Sequence, residues 1–127
     1  MQFYNSVKYV KLQDLLASFM VANVEGSFSQ MFSELKRVRL LIIDDWLMFD
    51  ITDNAAASFL YSLIEARKYL GSMIVCSQLD GMGWHERISN KIAADSICDR
   101  IVNSSHKIIV KGEMRKEIAM HTIFAEA

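Results

Sequence analysis

The apolar positions along the chain change period several times, and each change marks a new element. Val7-Lys8-Tyr9-Val10-Lys11-Leu12 alternates apolar and basic residues, which predicts a strand with one wet face. Leu12, Leu15, Leu16, Phe19 and Met20 then fall at helical spacing. Gly26 interrupts the pattern, and Ser27 with Gln30 matches the capping box S-x-x-Q, whose side chains satisfy free N–H groups at a helix start. Behind it Phe28, Met31, Phe32, Leu35 and Val38 form one apolar stripe, the signature of an amphipathic helix. Leu40-Leu41-Ile42-Ile43 has no polar face, as expected of a parallel strand covered on both sides, and it ends at Asp44-Asp45. A long helix follows from about Thr52 to Leu70, with Phe59, Leu60, Leu63, Ile64 and Leu70 inward and Gly71 placed to close it at C′.

Ser72-Met73-Ile74-Val75-Cys76-Ser77 reads as the next buried strand. A loop containing Gly81 and Gly83 and a turn around Trp84-His85 lead to a helix from Asn90 to Val102. His106–Val110 reads as a strand, and the segment from Gly112 to Phe124 fits helix and strand equally. Strands alternating with helices predict an α/β three-layer sandwich with a mainly parallel sheet. Ligands of such sheets bind beyond the carboxyl ends of the strands. Asp44-Asp45 and Ser77-Gln78 both stand at those ends.

Composition narrows the class. The 127 residues are 52% hydrophobic and 23% charged, the balance of one packed domain rather than a disordered chain. Average usage near ~5% predicts about six prolines, and there are none, which leaves helices and strands uninterrupted. Apolar runs such as Leu40–Ile43 fall far short of the ~20 residues of a membrane helix, and no secretory signal pattern is present. Two cysteines, Cys76 and Cys98, are too few to staple a scaffold, so a reduced, cytoplasmic setting is the simplest expectation. The net charge of −1 gives no global pull toward nucleic acid, although residues 85–116 hold seven Lys/Arg against four Asp/Glu.

The candidate chemistry follows from the strand ends. Four apolar residues and then two acids describe a Walker B strand, in which burial drives the strand into the sheet and the acids emerge where a nucleotide's Mg²⁺ would sit. An ordinary buried strand meeting a polar turn gives the same string. Asp50 and Asp53 are better placed to favour the next helix's dipole than to bind metal. Ser77-Gln78 could face a γ-phosphate or its water. Arg100 could reach a neighbouring subunit's phosphate, or pair at the surface with Asp99 or Glu86. Trp46, Phe49 and Trp84 serve as loop anchors or, less in keeping with their setting, as base contacts. Histidines 85, 106 and 121 lack the spacing of a zinc site, and Cys98 suits a packed helix position.

As an ordered set these segments resemble the AAA+ ATPase core of IstB-type transposition helper proteins, relatives of the helicase loader DnaC. Leu40-Leu41-Ile42-Ile43-Asp44-Asp45-Trp46 resembles the family's Walker B, and Val75-Cys76-Ser77-Gln78 its sensor 1 strand. Gly83-Trp84-His85-Glu86 resembles the W-H-E element, and Ala93-Ala94-Asp95-Ser96-Ile97-Cys98-Asp99-Arg100 the A-D-A-I-L-D-R segment. His106–Glu113 followed by Met114-Arg115-Lys116 resembles H-R-I-x-L-K-G-E-S-x-R-K. The resemblance runs from about Val7 to Lys116. It implies that Asp44 is the Mg²⁺ acid, acting through water, and Asp45 the acid that polarises the attacking water. It further implies Ser77 as sensor 1 with Gln78 beside it, Arg100 as an arginine finger acting in trans, and Arg115 as a second phosphate sensor. ATP and Mg²⁺ are the implied cofactors; a transposase, duplex DNA and further copies of the chain are the implied partners, with no membrane. Lys107, Lys111 and Lys116 are the implied DNA-facing residues.

One departure is specific. Family members open with a strand and a G-x-x-G-x-G-K-[ST] loop, and none of the five glycines here fits that loop. The loop's N–H groups cradle the phosphates and its Lys neutralises them. Residues 1–127 therefore read as a partial AAA+ domain, expected to bind ATP weakly by itself. The alternatives are a DnaC-like helicase loader and a non-enzymatic remnant or interaction module. In the implied strand order, 5-1-4-3-2, the missing strand lies between Ser72–Ser77 and His106–Val110. The last strand is then expected to re-pair with Ser72–Ser77 or to dock poorly.

Overall fold

The computed structural model describes residues 6–79, 81–103 and 122–125. Val7–Lys11 forms β1 and leads directly into α1, Leu12–Glu25. Gly26 takes the left-handed conformation (φ 78°) that closes α1, with its N–H on the Ala22 carbonyl. That closure also draws the Ser27 N–H to Ala22 O at 3.0 Å and leaves Ser27 at φ −103°, ψ 18°. Here the capping-box expectation is corrected: Ser27 precedes α2 (Phe28–Arg37), but its side chain makes no cap bond because the preceding turn has already set its backbone. Strand β2, Leu40–Asp44, lies between β1 and β3, Ser72–Val75, parallel to both.

Helix α3 runs Asn54–Arg67, shorter at both ends than its apolar stripe suggests. Asp53 starts it, accepting the Ala55 N–H at 3.1 Å, which is the helix-start role its position predicts. Gly71 does not close it. The positive φ falls at Tyr69 (71°) instead, and Gly71 serves close packing. A Cβ there would meet Arg39 O at 2.7 Å, Arg67 Nη2 at 2.8 Å and Val38 O at 3.0 Å. The two glycines read as a loop stand in a short helix, α4, Gly81–Glu86, which leads by an isolated Ile51–Ile88 bridge to α5, Lys91–Asn103.

Thr122–Ala125 forms β4 and pairs antiparallel with β3, so the described sheet runs β1-β2-β3-β4. The free edge of Ser72–Ser77 is thus covered by a later segment than the strand read at His106–Val110, which lies outside the described residues. Most of Gly112–Phe124 lies outside them too.

Leu41 and Ile43 of β2 and Met73 and Val75 of β3 are buried against α1, α2 and α3, where Phe19, Phe28, Phe32 and Phe59 form an aromatic cluster. These residues supply two of the three expected layers. The opposite sheet face carries Tyr9, Ile42, Asp44 and Ile74, and all four are partly or wholly exposed. Among the described residues no helix is long and apolar enough to cross a membrane.

One buried charge organises the helix side of the sheet. Arg67, at the end of α3, is fully buried. Its guanidinium donates to Leu35 O at 2.8 Å, Lys36 O at 3.3 Å and Val38 O at 2.8 Å, the carbonyls left over where α2 ends, and to Ser72 O at 2.8 Å. A cation at this helix C-terminus also suits the negative end of its dipole.

Candidate active site at the strand ends

The parallel register carries Asp44 to the carboxyl end of β2, opposite Lys11. Alternation turns its side chain to the sheet face away from Leu41 and Ile43, onto the same face as Tyr9. Both carboxylate oxygens are engaged: Oδ1 accepts the Asp45 N–H at 2.8 Å and Oδ2 accepts the Tyr9 hydroxyl. Asp45 then takes a left-handed backbone (φ 53°), and so does Leu47 (φ 55°). Asp and Asn tolerate that region better than most side chains. The strand therefore turns sharply at the second acid, and the chain falls back so that the Trp46 N–H reaches Cys76 O at 2.9 Å.

Trp46 and Trp84 are buried and meet edge to face, with ring centroids 6.1 Å apart. They are anchors, whereas Phe49 is exposed. Beside them Ser77 is 3% exposed. Its hydroxyl donates to Trp46 O at 3.0 Å and accepts from Leu79 N and from Trp84 Nε1, each at 3.0 Å. One donor and two lone pairs complete a hydroxyl's capacity, so Ser77 ties the loops after β2 and β3 to α4 and has nothing left for a phosphate. Gln78, next in sequence, is exposed. It lines a cavity of about 80 Å³ with Asp45, Trp46, Met48, Leu79 and Arg87.

Arg87 holds the rim of that cavity, donating to Met48 O at 2.9 Å and pairing with Asp50 at 3.7 Å. Asp50 is thereby part of the loop's support rather than of the helix start. Arg100 lies on α5, packed against α3. Its guanidinium pairs with Glu65, which also accepts the Tyr61 hydroxyl at 3.2 Å. The surface partners read for it, Asp99 and Glu86, give way to one 35 residues away. Arg115, Lys107, Lys111 and Lys116 lie outside the described residues, as do His106 and His121; His85 pairs with Asp95 at 2.6 Å.

The structure thus brings Asp44, Asp45, Ser77 and Gln78 to one sheet end and sets Arg100 on a separate helix pair. Among the described residues no three His, Cys, Asp or Glu side chains gather as a metal cage. Two adjacent carboxylates still fit Mg²⁺, which keeps most of its water and takes one or two carboxylates together with substrate phosphates. Among the described residues the Asp45 carboxylate has no hydrogen bond or ion pair, whereas its N–H donates to Asp44 Oδ1 and its carbonyl accepts from Met48 N. The cavity beside the acid pair, about 80 Å³, is too small for a nucleotide.

The acids' field is felt around them. Tyr9 is pushed from 10.0 to about 12, first because its hydroxyl donates to Asp44, then by lost hydration and the charges of Asp44, Asp45 and Cys76. Burial, then the Asp44 and Asp45 charges, raise Cys76. Cys98 rises from 9.0 to about 11 through burial and Asp95, against the opposing effect of Lys91. In the unfolded chain Cys98 loses its proton near pH 9.0, while in the fold it keeps it to about 11. Above the lower value the native state binds more protons than the unfolded one, so this contribution to stability falls as pH rises. Urea midpoints are expected to drop between these two pH values more in the wild type than in Cys98→Ala. Equal slopes in the two proteins would refute the assignment.

Sequence reasoning missed Tyr9, Arg67 and Glu65. Arg67 left a signal, since it continues the inward stripe of Leu60, Leu63 and Ile64 as a charge on an apolar face.

Residues 3–121 match the family model described as IstB-like ATP binding protein. The insertion sequence ATP-binding protein y4pL of Sinorhizobium fredii is 36% identical over 108 residues, which is 85% of this chain and 44% of the relative. A second such protein of that organism, y4uH, is 36% identical over 114 residues, 90% of this chain and 46% of the relative. An ATP-binding protein in an insertion sequence of Mycobacterium tuberculosis is 30% identical over 107 residues, 84% and 42% respectively. The chain spans less than half the length of these curated relatives.

Proposed function

Because the chain belongs to the IstB-like ATP binding protein family, we propose that it supplies the acid-bearing end of an ATP site in a transposition helper that assists a transposase on duplex DNA. The observation that carries this reading is the acid pair at the carboxyl end of β2, beside the polar end of β3. Asp44, fixed at both oxygens, holds the metal through its water shell. Asp45, whose carboxylate has no hydrogen bond or ion pair among the described residues, takes the proton of a water or orients it. Gln78 is the exposed polar group of the β3 end and takes the phosphate-facing role, while Ser77 keeps the loops in place for it. When bound, Mg²⁺ neutralises phosphate charge. Arg100 acts on a neighbouring copy only after leaving Glu65. Arg115 completes the phosphate contacts, and Lys107, Lys111 and Lys116 face DNA. The relatives reported above are named for insertion sequences, which favours transposition over helicase loading.

The test is an equilibrium titration of this 127-residue chain with a fluorescent ATP analogue, with and without Mg²⁺. Weak, millimolar, Mg²⁺-dependent binding that is lost in Asp44→Asn is expected. Micromolar binding would show a complete site and overturn the partial-site reading, and indifference to Asp44→Asn would remove Asp44 from it. A second reading, an interaction module without hydrolysis, is favoured by the Arg100–Glu65 pair, which occupies the finger within its own chain.

A further inference from the structure

Tyr9 stands two residues ahead of Lys11, the register partner of Asp44. On a pleated sheet that places it on the same face and one diagonal step away, within reach of a long side chain. Its hydroxyl donates to Asp44 Oδ2, and the Asp45 N–H holds Oδ1 at 2.8 Å. The carboxylate is thus pinned at both ends, although each oxygen keeps a further lone-pair direction. A carboxylate free to rotate can swing to meet a bare cation directly. One held by two donors offers its remaining lone pairs in fixed directions, which suits the outward-facing hydrogens of a hydrated ion. Outer-shell partners of this kind orient a ligand without touching the metal. Tyr9 is 55% exposed and stands outside the buried core, so packing does not account for its place.

We propose that Tyr9 is a positioning residue for Asp44, which sets the carboxylate to receive a divalent cation through water. This rests on the reading of Asp44 as the metal acid. The probe is manganese chloride alone, titrated into the isotopically labelled chain while line broadening of the backbone amides is followed. In the wild type, broadening is expected to centre on Asp44, Asp45 and Gln78. Tyr9→Phe, which removes one oxygen atom from an exposed ring, is expected to weaken it about tenfold, the lower end of outer-shell effects. Its centre should move toward Asp45, with amides elsewhere unchanged as the check on folding. Tyr9→Gln, which restores a donor on a shorter arm, should recover part of the loss.

Equal manganese affinity in Tyr9→Phe and wild type, with Asp44→Asn abolishing the effect in both, overturns the role of Tyr9 while leaving Asp44 in place. Tighter binding in Tyr9→Phe also overturns it, since the hydroxyl would then be competing with the cation. Broadening that is diffuse, or unchanged in Asp44→Asn, removes the metal acid and the positioning role with it.

Discussion

Replacing Arg67 with alanine is expected to cost about 3–5 kcal/mol, a large part of the ~5–15 kcal/mol that separates a folded domain from its unfolded chain. The guanidinium answers four backbone carbonyls, those of Leu35, Lys36, Val38 and Ser72, and it does so from a fully buried position. Buried acceptors left without donors each cost about 1–3 kcal/mol, and water entering the vacated space returns only part of that. Arg67→Met keeps most of the volume but none of the donors, so it should fall close to alanine. Arg67→Lys, with one ammonium in place of a planar fork, should fall between. Urea unfolding followed by far-ultraviolet circular dichroism decides the matter. A methionine variant within about 0.3 M of the wild-type midpoint, on slopes typical of small domains, would show that the carbonyls find other partners. Gly71→Ala should mimic the defect in milder form, because its Cβ would press on the same guanidinium and on the carbonyls of Arg39 and Val38.

The second large effect separates two neighbours that the sequence presents as one feature. Ser77→Ala is expected to cost about 2–3 kcal/mol, because Trp46 O and Leu79 N lose their partner together. Trp84 Nε1 keeps Leu79 O at 2.9 Å and softens the loss. Gln78→Ala, on an exposed side chain, should stay within about 0.5 kcal/mol of wild type. Its effect should fall on Mg²⁺-dependent nucleotide binding instead. Comparable losses of stability in both variants, or none in Ser77→Ala, would contradict the division of labour drawn between them.

Much of the architecture was legible because burial writes itself into periodicity. The unbroken apolar run of β2 announced a central strand, and two acids directly after it marked the sheet end. Asp53 was readable as a helix start for the same local reason. What escaped depends on contacts between segments far apart in sequence. Nothing in the alternation of Val7–Lys11 distinguishes Tyr9 from strand filler until the register sets it diagonal to Asp44. Glu65 becomes the partner of Arg100 only when α5 packs on α3. Gly71 looked like a helix terminator because that is its commonest use. Here three crowded groups, two of them more than thirty positions upstream, fix the need for a missing Cβ. Ser77 shows the same limit in another form: its residue type permits a phosphate contact, and only the three partners around it show that its capacity is spent.

The two indoles have a practical consequence. The chain contains two tryptophans; Trp46 lies in the loop that follows β2 and Trp84 in α4, beyond β3, and they meet edge to face at 6.1 Å. Every photon of indole emission therefore originates within the scaffold of the acid-bearing sheet end, with no background from the rest of the molecule. Coupled rings at this spacing should also give a paired near-ultraviolet dichroic signal that vanishes when either is replaced by phenylalanine. The protein thus carries a built-in optical gauge for the loops around Ser77, usable without any attached dye.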